Sequence, residues 1–439
     1  MKRARAHTGE GMRQWQVTLL AGGAALVTYA CMYAFRKPFA AASFHGQQWF
    51  DVDYKVWLVV AQILGYMCSK FIGIGVIGGL RRERRARLLL MLIGVAWLAL
   101  LGFALVPAPW NIPFLFLNGL PLGMVWGLVF SYLEGRRTTE AMGAILASSF
   151  IMASGIVKSV GKWLLLAGVS EFWMPFLTGL LFLPPLVIAL HFLERIPEPD
   201  ADDRRERSER LPMNRSERRA FVRQFLPGLA LMILCYVALT VVRDFRDNFE
   251  AELFNDLGYG GNAGVFALIE TPIAVAVLAL TAGLTWFRDN LRGLMALHGL
   301  MFAGLAVAGV STLAFQSGAL PPLWWLALVG FGLYLAYVPF NCVFYERLIA
   351  TFRVAGNVGF LMYLSDAFGY LGSVAVLLTK EFSGLQLSWT QFFAQTVLAL
   401  AALGGACLLL SAVYFHHRAT RRSGAPTLAP IRLSPTHRP

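Results

Sequence analysis

The chain has 439 residues, 57% of them apolar or aromatic and only 14% charged, with a mean hydropathy of +0.60. That is far more apolar than one soluble core requires and excludes a soluble domain. A net charge of +13 would suggest a nucleic-acid ligand in a soluble protein. Here the cations alternate between the segments that join apolar runs, which makes them a topology signal instead.

Twelve apolar runs are long enough to span hydrocarbon: near 17–43, 55–79, 88–107, 112–133, 140–168, 172–193, 224–248, 262–287, 293–315, 321–345, 354–379 and 389–415. Segments that must close their own backbone hydrogen bonds in lipid are helices. The basic start and apolar stretch of the first run resemble a signal peptide, but the run is too long and is interrupted by Arg36 and Lys37, so it reads as an uncleaved first helix. Cations crowd the N-terminus, RRERRAR at 81–87, Arg136 and Arg137, residues 194–223, Arg288, Arg292, Arg347, Arg353 and the C-terminal tail. The intervening loops hold only Lys55 and Lys380 and include acidic stretches. With an even number of spans, both termini are expected in the cytoplasm. The setting this implies is a multi-pass protein of a bacterial inner membrane, in contact with anionic lipid.

The polar stretch at 194–223 sits at mid-chain and reads as a cytoplasmic linker between a six-helix half at 1–193 and another at 224–416, with a disordered cytoplasmic tail at 417–439. The halves repeat a pattern. Tyr29 precedes Arg36 by seven residues, and Tyr236 precedes Arg243 by the same step. An all-α fold of twelve transmembrane helices, built from two six-helix halves under a pseudo-twofold axis, is the layout of the major facilitator superfamily. Such folds hold substrate between the halves near the midplane. The glycine-rich stretches GYMCSKFIGIGVIGG, SGIVKSVG and FGYLGS are candidate helix contacts.

The string GIGVIG matches a dinucleotide-binding pattern by letter only, since no strand precedes it and no acidic partner follows. Five cysteines lie inside apolar runs without CxxC spacing, and His416–His417 adjoins a basic tail, so neither a disulfide framework nor a metal site is expected. The NRS sequon at Asn214 falls in the cytoplasmic linker and carries no meaning there. No cofactor motif or catalytic constellation occurs, and the protein is read as a non-enzyme.

Charges within the spans remain. An Arg or Lys at mid-bilayer costs about 2.5–3.5 kcal/mol even on the lenient insertion scale, so such residues usually serve a function. Lys70 and Asp366 fall at mid-membrane by their distance along the helix from flanking loop charges, and Glu270 and Lys158 fall somewhat off centre. Two readings of Arg36 stand: an outer-end residue reaching to headgroups, or one of an equivalent pair with Arg243 that forms a concentrated anion site. A heptad step places Tyr29 on the face of Arg36, with Tyr33 three residues before it.

The string TYACMYAFRKPFA, at 28–40, resembles the first helix of the organophosphate:phosphate antiporter family, which includes the bacterial glycerol-3-phosphate and hexose-phosphate transporters. GYMCSKFIG looks like that family's second helix, NGLPLGMVWG like its fourth and FGYLGSVA like its eleventh, with Arg243 and Glu270 matching the seventh and eighth. The resemblance implies a phosphoryl clamp of Arg36 and Arg243, completed by Lys70, Tyr29, Tyr33 and Tyr66. Glu270, Asp366, Lys158 and Trp126 are candidates for coupling or gating. The departures are a missing histidine in the fifth helix, no acidic residue of the usual kind between the second and third, extra charges in RDFRDNF, and Asp366. Arg246 and Asp247 are expected to pair with each other at the outer end of the seventh helix.

The resulting expectation is a monomeric secondary transporter for a small anion, an organophosphate or inorganic phosphate. Its cavity carries a cationic excess, and repulsion between the two arginine sides holds the empty halves apart. The alternatives are a proton-coupled symporter of another anionic metabolite, titrating at Glu270 or Asp366, and a non-transporting organophosphate sensor.

Overall fold

The computed structural model describes residues 14–77, 82–133, 136, 138–198, 203, 215–287, 289–352, 358–382 and 387–423. Arg81, Arg137, Arg288, Arg353, most of the expected linker with Asn214, and the tail beyond Ser423 lie outside them.

Twelve membrane-length helical segments follow in order: α1 (Gln14–Tyr33), α2 (Tyr54–Ile77), α3 (Arg85–Leu105), α4 (Ile112–Leu122 continued as Val125–Leu133), α5 (Thr139–Leu166), α6 (Met174–Glu194), α7 (Arg215–Asp256), α8 (Val265–Gly283), α9 (Asn290–Gln316), α10 (Pro322–Pro339, a π segment Phe340–Phe344, then Tyr345–Phe352), α11 (Val358–Phe382) and α12 (Trp389–Ser423). Among the described residues, ten are long and apolar enough to cross a bilayer by length and composition. The other two, α2 and α11, carry Lys70 and Asp366. The chain is a multi-pass integral membrane protein.

Several boundaries differ from expectation for local reasons. The first helix stops at Tyr33 rather than near residue 43, because Pro38 removes a backbone donor and disfavours helix in the residue before it. A turn at Ala34–Lys37 leads into a short 3-10 helix, Pro38–Ala41. Arg36 therefore lies on this turn and not on a helix face with Tyr29. The seventh helix begins within the expected linker and runs to Asp256, with non-helical angles at Phe225, just ahead of Pro227, and at Phe249. Helix α12 continues to Ser423, into what the sequence suggests is tail.

Packing repeats between the first six helices and the last six. Contacts α1–α5, α1–α6, α2–α4, α3–α4 and α3–α6 recur as α7–α11, α7–α12, α8–α10, α9–α10 and α9–α12. The two sets meet mainly through α5–α8 and α2–α11, which exchange under the same two-fold relation, and through the 3-10 helix against α7. Close approach at α5–α8 depends on Gly155, where an added Cβ would sit 2.7 Å from Cβ of Glu270.

Candidate functional site: a central cavity with walls of opposite charge

Between the two sets of helices lies a cavity of about 240 Å³. It reaches Thr139 and Gly143 at the start of α5 and Glu346 near the end of α10, so it extends toward the end of the bundle where α1 starts and α12 ends. All six residues expected to bind substrate line it: Arg36, Arg243, Lys70, Tyr29, Tyr33 and Tyr66. Trp126 and Asp366 line it too, whereas Glu270 and Lys158 do not.

Arg36 is 6% exposed, which rules out an outer-end position reaching to headgroups. The turn that carries it is held by two polar side chains that the sequence reading left without a role. Asn118 of α4, fully buried, donates from Nδ2 to the carbonyls of Phe35 (2.8 Å) and Ala96 (2.9 Å). Gln62 of α2 donates from Nε2 to the Arg36 carbonyl (2.9 Å) and to Asn118 Oδ1 (2.8 Å). The bonds to Phe35 and Arg36 satisfy carbonyls left over where the first helix ends, which would otherwise be costly in an apolar interior. The Arg36 guanidinium then lies 3.8 Å from the centre of the Tyr66 ring, and its Nε has no hydrogen-bond partner.

Each of the other lining cations has a carboxylate. Lys37 meets Asp247 at 2.5 Å, Lys70 meets Asp366 at 3.1 Å, and Arg243 meets Asp244 at 2.6 Å. Arg243 also donates to the Tyr337 hydroxyl and lies 4.3 Å from the centre of that ring. Among the described residues, Arg36 alone of the lining cations lacks a carboxylate partner. Among the described residues the expected cationic excess is absent, because four lining cations face four lining carboxylates, Asp244, Asp247, Glu346 and Asp366. The charges are instead segregated. Among the described residues, the first six helices with their 33–41 turn supply Arg36, Lys37 and Lys70 and no carboxylate, while the last six supply the four carboxylates and one cation, Arg243.

Aromatic rings fill the wall beside Arg36. Trp126 stacks on Phe150 with centroids 4.5 Å apart, and Tyr29 meets Trp126 edge-on at 5.0 Å. Tyr66 meets Tyr370 of α11 edge-on at 5.4 Å, so the path from Arg36 to the opposite wall crosses two tyrosines. Tyr370 lies inside the FGYLGS stretch, and its place after a tight glycine contact with α7 was the available signal. Tyr334 and Tyr337 of α10 had none, because a tyrosine in an apolar run looks the same whether it faces lipid, core or cavity.

Beyond the cavity, at the end away from the termini, the acidic C-terminal part of α7 closes the interface. Lys37 also donates to Asn248 Oδ1 at 3.0 Å. Lys158 of α5 pairs with Asp247 at 3.1 Å and with Glu250, and Ser154 donates to Asp247. Lys55, read from sequence as a loop charge, is 1% exposed and pairs with Glu252 at 2.6 Å. Lys158 is thus a member of this cluster and adds no charge to the cavity lining. Arg246 and Asp247 do not pair with each other. Arg246 meets Glu270 and, at 3.4 Å, Glu250, because consecutive helical residues point to different faces. Glu270 is accordingly tied to Arg246 behind the cavity wall.

Several solved structures share this fold. The nucleoside transporter NupG matches with a TM-score of 0.59 at 12% identity, covering 91% of this chain and 98% of that one. The D-xylose–proton symporter matches at 0.57 and 14%, covering 91% and 97%. The human organic anion transporter MFSD10 matches at 0.54 and 15%, covering 91% and 98%. At these identities the likeness establishes the major facilitator fold, twelve helices in two six-helix halves. The chain belongs to DUF5690, a family of unknown function whose model matches residues 38–418. No curated protein matches it by sequence.

Proposed function

We propose that the protein is a secondary transporter that moves a small anion, most favourably an organophosphate or inorganic phosphate, by alternating access, and that it performs no catalysis. The carrying observation is Arg36: a buried guanidinium in a membrane interior, facing a cavity, with no carboxylate partner among the described residues. A buried charge without a counter-ion is costly, and an anionic substrate supplies one. Tyr29, Tyr33 and Tyr66 surround the same place with hydroxyl donors, and the planar fork of arginine suits a phosphoryl or carboxylate group.

Arg243 acts later than Arg36 in this scheme. Its guanidinium is already neutralised by Asp244, so it joins the anion as the halves close rather than on first contact. The notion of two arginine sides repelling each other gives way to attraction between oppositely charged walls. Substrate bound at Arg36 changes that balance and thereby biases the rocking of residues 14–194 against residues 215–423. The carrier works as a monomer in a bacterial inner membrane, with both termini cytoplasmic and the cavity of this conformer facing that side.

The test is counterflow. Proteoliposomes loaded with phosphate should take up labelled phosphate, and the Arg36→Lys protein, equally well folded, should not. Equal flux in both proteins removes Arg36 from substrate binding. No flux in folded wild-type protein removes phosphate transport.

A further inference from the structure

Asp366 is the lining residue that neither the resemblance nor the anion reading accounts for. It sits on α11, deep in the cavity wall, and its two oxygens have separate tasks. Oδ1 accepts a hydrogen bond from the Tyr236 hydroxyl at 2.5 Å, while Oδ2 faces Lys70 Nζ at 3.1 Å across the interface between the halves. Tyr236 in turn shares a 3.0 Å hydrogen bond with Tyr337, which accepts from Arg243. One bonded chain therefore runs from Lys70 of the cationic wall to Arg243 of the acidic wall, with Asp366 next to the lysine.

We propose that Asp366 is an internal surrogate for the substrate anion on Lys70, and that each anion bound next to Arg36 and Lys70 is accompanied by one proton taken up on Asp366 Oδ2. This rests on the anion-transport reading and adds its coupling ion. In the empty carrier the Lys70–Asp366 pair is neutral and links the halves through α2 and α11. An anion that takes Lys70 leaves an ionised carboxylate in the same low-dielectric space, and like charges sharing one site are resolved by protonation. The proton enters from the aqueous mouth of the cavity and binds the oxygen that Lys70 has released, while Tyr236 keeps its bond to Oδ1. No other bond changes, and the two positions, Lys70⁺ with Asp366⁻ and Lys70⁺ with anion and neutral Asp366, differ by one anion and one proton.

The surroundings of Asp366 single it out for this role. From α2 it is faced by Lys70 and Tyr66, and from α7 by Tyr236. From α10 it is faced by Tyr337 and Tyr345, and on its own helix by Tyr370. Arg243, Asp244 and Glu346 share the cavity wall. Of the carboxylates in the cavity, Asp247 is held by two lysines and a serine, and Asp244 is bonded to the guanidinium beside it in sequence. Asp366, by contrast, meets a lysine of the opposite wall with one oxygen and a tyrosine hydroxyl with the other.

Phosphate affinity measured against pH on the purified full-length protein tests this, with wild type, Asp366→Asn and Asp366→Glu compared. The titration of phosphate itself affects all three equally, so differences isolate residue 366. The wild-type protein should gain about tenfold in affinity per pH unit of acidification relative to Asp366→Asn. Asp366→Asn, which removes the carboxylate that competes with the anion at Lys70, should bind more tightly than wild type at alkaline pH. Asp366→Glu should restore the pH slope. Parallel slopes in wild type and Asp366→Asn overturn the proposal and leave anion binding standing, and so does a wild type with no slope beyond that of phosphate. Should Asp366→Asn not fold, the count of protons taken up per phosphate bound by wild type and Asp366→Glu decides, one supporting the proposal and none overturning it. Folded wild type that binds no phosphate at any pH removes the anion reading, and the coupling with it.

Discussion

The two walls of the cavity hold arginines that occupy matching places in the two sequence repeats, yet their surroundings are opposite. Among the described residues, Arg36 sits by tyrosines and the Trp126–Phe150 stack with no carboxylate partner, whereas Arg243 is bonded to Asp244 and to the Tyr337 hydroxyl. Internal repetition preserves the position of a side chain, and the neighbours decide its electrostatic state. A guanidinium already paired has little left to gain from an anion, while one that is buried and unpaired gains a great deal. Under the proposed function, this difference gives first contact with substrate to one wall and the closing of the halves to the other.

The comparison can be broken in several places. The largest effect is expected at Asp247, where the acidic wall grips Lys37 and Lys158. Asp247→Ala leaves two buried lysines short of a partner and should cost about 3–5 kcal/mol of stability. Thermal unfolding in detergent measures the loss, and faster alkylation of a cysteine placed at the Lys55 end of the interface reports the opened cluster. An unchanged labelling rate would show that the walls are held together elsewhere.

Next comes the arginine contrast itself. Arg36→Lys should weaken phosphate binding about a hundredfold, near 2.7 kcal/mol, and Arg243→Lys by tenfold or less, near 1.4 kcal/mol. Equilibrium binding of labelled phosphate separates them. Equal losses would restore a symmetric clamp.

Asn118→Ala acts through the turn alone. It removes the donors that hold the Phe35 and Ala96 carbonyls and should cost about 1–3 kcal/mol of stability. Phosphate affinity should fall with it, since Arg36 is then less firmly placed, and Gln62→Ala should move both in the same direction by less. Stability lost without any change in affinity would separate the turn from the site.

The smallest effect is expected on the aromatic side. Trp126→Phe keeps an apolar ring against Phe150 and should change inorganic phosphate binding by less than about 1 kcal/mol. A larger change for a phosphate ester than for phosphate would locate the organic part of the substrate against this stack.

Much of this arrangement was legible in the chain. Apolar runs of the right length marked the spans, and all six residues singled out for substrate binding meet at one cavity. What misled the sequence reading was charge pairing. Lys55, in a loop by hydropathy, is buried against Glu252. Arg246 and Asp247, adjacent in the chain, bind different partners because a helix turns them to different faces. Asn118 and Gln62 carry no distinctive spacing, and their importance depends on where a helix on another part of the chain happens to stop.

The sequence by itself determined that the protein is an all-helical membrane chain with twelve spans and internal repetition, because the bilayer imposes length, apolarity and internal hydrogen bonding on every crossing segment. It also singled out six charged and aromatic residues that the fold brings to one cavity. Only the tertiary structure decided that cations line one wall and carboxylates the other, that Lys70 is taken by Asp366, and that Arg36 is left without a counter-ion. Pairing between distant helices depends on their rotation and approach, and hydropathy and spacing carry no record of either.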